Sequence, residues 1–159
     1  MKLTHALLIV SSSALLNCQD KTHEVTSSES KKSNTTILNI DRISSAYNIS
    51  HSNDLLDTLN NIACNADGEI SEHLDVISTK LYRESFQQFI EYLFNNPGSC
   101  IENSLIRGTS ASLFTEDLEN RDTIINDMRN QISKSDKINK EQKKYVISLL
   151  SKVNLKSLD

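Results

Sequence analysis

Residues 69–94, EISEHLDVISTKLYRESFQQFIEYLF, decide the fold. Ile70, Leu74, Ile77 and Leu81 recur at i, i+4, i+7 and i+11, which puts them in one stripe along a helix. Ser85 followed by Gln88 has the form of a capping box. It opens a second stripe of Phe86, Phe89, Ile90, Leu93 and Phe94, and Asn95-Asn96-Pro97-Gly98 stops that helix. No stretch of the chain sustains the alternation of a strand.

The same period continues outward on both sides. Upstream, Ile37, Ile40, Ile43 and Tyr47 make a short stripe. Ser52 is placed to cap a helix with Leu55, Leu56, Leu59, Ile62 and Ala63 on one face, and Asp67-Gly68 separates it from the next. Downstream, Ser99 with Glu102 repeats the capping-box pattern and opens a short helix of Cys100, Ile101, Leu105 and Ile106 that is expected to end at Gly108. Residues 109–114, TSASLF, then read as a connection. Thr115 is read as the cap of a longer helix with Leu118, Ile125, Met128 and Ile132 facing in. A last helix is expected to bury Tyr145, Val146, Leu149, Leu150 and Val153. The fold class is all-α, an irregular bundle of about six or seven short helices spanning residues 36–159. In spacing and shape, the pairs 52–64 with 69–83 and 84–95 with 99–107 are similar to HEAT-type helix pairs, which stand as the alternative arrangement.

Composition agrees. A chain of 159 residues suits one domain, and 3 Gly with 1 Pro are too few for the tight turns of an all-β sandwich. A net charge of -4 without a large basic block makes a nucleic-acid partner a poor expectation.

The N-terminus carries a different kind of signal. Met1-Lys2 precedes an apolar run, Ala6 to Val10, then three serines and Ala14-Leu15-Leu16-Asn17-Cys18. A cation before a short apolar stretch is the pattern of an export signal, and the run is about half of the ~20 residues that a spanning helix needs. Leu15-Leu16-Asn17-Cys18 resembles the lipobox of bacterial lipoproteins, with Asn17 standing where Gly, Ala or Ser is usual. The resemblance implies a signal peptide over 1–17, cleavage before Cys18, and lipid on the Cys18 thiol. Gln19 in place of Asp implies, by the same analogy, the outer rather than the inner membrane. Residues 18–35 contain one aliphatic residue, Val25, among Ser, Thr, Lys and Glu, and read as a disordered tether.

Past the anchor, Cys64 and Cys100 are the remaining thiols. In an oxidising compartment they are expected to pair, with two separate buried thiols as the alternative. Neither has a second cysteine or a histidine at ligand spacing, so no metal or cofactor is expected. Asn65-Ala66-Asp67-Gly68 resembles the middle of an EF-hand loop, but the first and twelfth positions would be Ala63 and Leu74, which cannot ligate calcium.

Charge is unevenly spread. Residues 36–114 hold ten Asp and Glu against four Lys and Arg, while residues 115–159 hold eight against nine, with a basic run from Lys134 to Lys144. Asp67, Glu69, Glu72 and Asp75 form a candidate acidic binding face for a cationic partner. Glu69 and His73 share a helix face, but no nucleophile or second histidine accompanies them, so no catalytic residues are assigned. The leading expectation is a non-catalytic envelope lipoprotein. Its helical domain would bind a protein partner, as an immunity or inhibitor protein or an accessory subunit does. The alternative is a periplasmic ligand-binding or enzymatic domain, whose mark would be a cavity lined by His73, Tyr82 or Tyr92 together with carboxylates.

Overall fold

The computed structural model describes residues 22–114 and 116–153, with side chains described from Ser33 onward. The signal peptide, Cys18 and Thr115 lie outside the described residues, and the helix that Thr115 is expected to cap is capped instead by Asp117, whose side chain accepts from Asn120 N. Seven helices follow one another: α1 (Thr22–Ser50), α2 (Asn53–Cys64), α3 (Gly68–Glu84), α4 (Phe86–Asn95), α5 (Cys100–Leu113), α6 (Leu118–Lys134) and α7 (Lys140–Leu150). The fold is all-α, an irregular bundle, and no described residue lies in a strand.

The stripes are the core. Leu74, Ile77 and Leu81 of α3 are buried with Phe89, Ile90 and Leu93 of α4, Ile101 and Leu105 of α5, and Val146, Leu149 and Leu150 of α7. Each such side chain contributes about 1.5–3 kcal/mol by leaving water. A residual internal gap beside Tyr82, Leu105 and Val146 measures only about 10 Å³, so this interior is filled.

The two most extensive helix pairings each skip a helix in the chain. α3 packs most extensively against α5 and α1, and α2 packs against α1 and α5. The HEAT-like pairing of α2 with α3 and of α4 with α5 is therefore corrected: α2 lies against α1 and α5, and α4 against α3 and α7. Three bridges between α1 and α3 ascend together, Ser33–Glu69, His73–Asp41 and Asn48–Glu84, so these two helices are parallel.

Three local expectations also change. α1 begins at Thr22, inside the stretch read as disordered tether. Residues 36–50 are nucleated by burial of Ile40 and Tyr47, and extending an existing helix through Ser, Lys and Glu costs little. The second change is that α5 does not stop at Gly108 but runs through to Leu113. A Cβ at Gly108 would sit 2.3 Å from the backbone oxygen of Asp75, so glycine here is what lets α5 lie against α3. The real stop comes from Arg121, buried at the start of α6, whose guanidinium donates to the carbonyls of Leu113 at 3.0 Å and Phe114 at 3.0 Å. Third, neither expected capping box forms. Ser85 Oγ donates instead to Asn48 Oδ1 at 2.8 Å, and none of Ser52, Ser85 and Ser99 caps its helix through its side chain. The capping box that does form is at α7, where Asn139 accepts from Glu141 and Gln142 and the Gln142 side chain returns to Asn139 N.

Candidate functional site

The two cysteines meet. Cys64 closes α2, Cys100 opens α5, and they are joined by a disulfide with Cα atoms 5.1 Å apart. Asn60 Oδ1 accepts the Ile101 N–H beside it, so two independent links hold α2 to α5.

Two residues along α5, Glu102 forms a second fastening. Its side chain is 1% exposed, yet it carries three donors: Lys152 Nζ at 2.7 Å, the Tyr145 hydroxyl at 2.6 Å and the Gly98 N–H at 2.8 Å. Gly98 adopts φ 76°, a left-handed turn that aims its N–H back at the carboxylate. Burial by itself would push the Glu102 carboxyl up. The hydrogen bonds from Lys152, Tyr145 and Gly98, with the Lys152 charge, outweigh it and hold the carboxyl below its ordinary range. Tyr145 is affected in the opposite sense, its phenol pushed up by burial and by the Glu102 carboxylate it bonds. The knot ties α5, the 96–99 turn, α7 and the segment after α7 into one unit, and it is a structural fastening. Sequence reading saw Glu102 only as half of a capping box.

The candidate acidic face is not a single surface. Asp67 and Glu69 line a polar cleft of about 860 Å³ with Ser33, Asn61 and Asn65, at the end of the bundle where α1 approaches α3. The Glu69 carboxylate already accepts from Ser33 Oγ at 2.9 Å. Glu72 is exposed and lies outside that lining. Asp75 faces α5, where Arg107 grips it with Nε at 3.1 Å and Nη2 at 2.8 Å. Of the four carboxylates, one is neutralised and one is occupied by a hydroxyl.

His73, Tyr82 and Tyr92 do not converge either. His73 Nε2 lies 2.8 Å from Asp41, the Tyr92 hydroxyl donates to Asp57 at 2.8 Å, and Tyr82 packs edge-on against Phe86 at 5.2 Å. Among the described residues no group of three or more His, Cys, Asp or Glu is placed to hold a metal, and no helix is long and apolar enough to cross a membrane.

A different surface gathers unpaired charge. At the far end of α3, the α3–α4 corner meets the C-terminal half of α6 and the turn beyond it. Tyr82, Phe86, Met128 and Ile132 make an apolar wall, with Arg83 and Lys137 at the edge, around a groove of about 330 Å³. Burial pushes the Tyr82 phenol up to about 12, so the wall carries no anion at neutral pH. No carboxylate belongs to the lining; Asp127 and Asp136, neighbours in sequence, are not part of it. Arg83, Lys134, Lys137 and Lys140 are all exposed, and none has a carboxylate partner among the described residues. The basic run was readable in sequence, but its apolar wall was not, because residues 82–86 and 128–137 come together only through packing.

Comparison of the chain with family models, with curated proteins and with solved structures finds no match, so what its site does is argued from its own residues alone.

Proposed function

We propose that this chain is a non-catalytic cell-envelope lipoprotein, held by lipid on Cys18, whose helical domain binds a protein partner. The observation that carries the reading is the coexistence of two kinds of cysteine. Cys18 ends an apolar run in lipobox-like sequence, while Cys64 and Cys100 form a bridge that persists in an oxidising compartment and not in a reducing one. Several acyl chains on one residue hold firmly where one would not, since each buried methylene contributes about 0.8 kcal/mol. α1 then carries the chain into the domain, its Ile40 and Tyr47 already part of the core. The filled interior and the scattered His73, Tyr82 and Tyr92 leave recognition to the surface, in the manner of an immunity or inhibitor protein or an accessory subunit, at the outer membrane.

The mass of the mature chain and its fractionation test this. The expected result is a start at Cys18 bearing acyl groups, recovery with membranes, and release to the soluble fraction in Cys18→Ser. A mature chain that retains Met1, or a lipid-free Cys18, would overturn it.

A further inference from the structure

We infer that the groove between the α3–α4 corner and α6 docks an acidic segment of the protein partner, one that carries an apolar side chain flanked by carboxylates. The inference rests on the protein-binding reading above and assigns its surface and chemistry.

Charge complementarity selects the occupant. The groove offers Tyr82, Phe86, Met128 and Ile132 to an apolar side chain, with Arg83 and Lys137 at the edge and Lys134 and Lys140 nearby on the same basic run. Arg83 and Lys137 share the lining without a carboxylate partner, and a segment bringing carboxylates complements them and steers the encounter. The acidic face offers a poorer site, because Arg107 already neutralises Asp75, Ser33 Oγ already bonds Glu69, and exposed Glu72 lies outside the cleft that Asp67 and Glu69 line. The apolar wall separates this surface from an ordinary solvated lysine run, since an aromatic and aliphatic floor rewards a side chain that inserts.

Position favours a protein over a lipid surface. The chain enters the domain along α1, whose Ser33 meets Glu69 at the start of α3. The groove begins at Tyr82, thirteen residues further on, about 20 Å along the helix axis. The end at which α1 enters therefore lies at the opposite end of α3 from the groove.

The test places a benzophenone amino acid at position 131 of the full chain in its own cells, with separate chains carrying it at positions 65 and 111. Gln131 lines the basic groove, Asn65 the acidic cleft and Ala111 a third depression beside Phe114. The expected result is light-dependent crosslinking from position 131 to a partner segment that contains carboxylates beside an apolar residue. The yield should fall by about tenfold or more in Arg83→Glu/Lys137→Glu and be retained in Arg83→Lys/Lys137→Arg. Both residues are exposed, so the melting temperature should be the same in all these chains.

Crosslinking to protein from 65 or 111 but not from 131 would overturn this inference and leave the protein-binding reading standing. So would a segment at 131 without carboxylates, a yield indifferent to charge reversal, or crosslinks from 131 to lipid alone. No protein crosslink from any of the three positions would overturn both.

Discussion

α5 and α6 are consecutive helices held in opposite ways. α5 is bonded to α2 through Cys64–Cys100, gripped by α3 through Arg107 and Asp75, pressed against α3 at Gly108, and tied to α7 through Glu102. α6 is anchored at its start by Arg121 and contributes Ile125 and Ile132 to the core, with α7 its main neighbour. Its other face is polar, and its C-terminal half forms one side of the basic groove. The contrast teaches where stability and recognition reside. The fastened helix fixes the bundle, and the lightly held helix forms one side of a groove whose lining cations, Arg83 and Lys137, come from α3 and the turn after α6. Such a division is what local stability differences predict, since surfaces that must adapt are drawn from the less constrained end.

The sharpest way to break the contrast is to release α5. In Cys64→Ser/Cys100→Ser the chain loses a bridge across 36 positions, worth about 4 kcal/mol by loop-closure entropy. A fall of that size in unfolding free energy, measured by urea denaturation, is expected, and a change below about 1 kcal/mol would show that the α2–α5 contact does not depend on the bridge.

Gly108→Ala comes next and is diagnostic by its sign. In an unencumbered helix interior this change stabilises by about 1 kcal/mol. Here the new methyl meets the Asp75 carbonyl oxygen at 2.3 Å and its carbon at 2.9 Å, both backbone atoms that cannot swing away. A loss of about 3 kcal/mol is expected as α5 is pushed off α3. A gain would mean that the two helices are further apart.

Glu102→Gln follows, at about 2 kcal/mol, because the buried carboxylate's charge-assisted bonds to Tyr145 and Gly98 are weakened, while half-exposed Lys152 finds water. The same group sets an acid limit. Its folded pKa lies below the ordinary value of 4.5, so the unfolded chain takes up the proton first, and stability is complete above that value and falls as pH drops through the folded pKa. Melting temperatures across the acid range should therefore decline less steeply in Glu102→Gln. At the alkaline side the sign reverses. Tyr47 and Tyr82 are pushed to about 12 by burial, so between pH 10 and 12 the unfolded chain loses protons that the folded one keeps, and stability falls. Phenolate absorbance should rise late and together with loss of helix.

Much of this architecture was legible because burial has a period. The stripes of Leu74, Ile77 and Leu81, and of Phe89, Ile90 and Leu93, are core in the structure, and Cys64 and Cys100 pair as two helix-terminal thiols can. What escaped depended on partners remote in sequence. Gly108 looks like a stop until α3 lies across it. Ser85 and Glu102 look like local caps until Asn48, Tyr145 and Lys152 claim them. The polarity of residues 22–35 reads as disorder because composition does not register that a packed helix follows directly. The candidate groove was half legible, since Lys134 to Lys144 announces charge but nothing in the sequence places Tyr82 and Phe86 beside it.

The smallest expected effect falls on the other side of the comparison. Asn139 accepts from the N–H groups of Glu141 and Gln142, and the Gln142 side chain closes the box at 2.9 Å on Asn139 N. Asn139→Ala removes the cap of α7 without touching any α5 contact, and should cost about 1 kcal/mol. If α6 and the start of α7 open as a unit apart from α5, the loss should appear as faster amide exchange over residues 118–146, with α5 protection unchanged. Equal loss of protection in α5 would mean that the helices open together. The docking groove would then owe its place to the whole bundle rather than to its own corner. A local opening, by contrast, would let charge and shape at residues 128–137 adjust to a partner while the disulfide-tied end stays fixed.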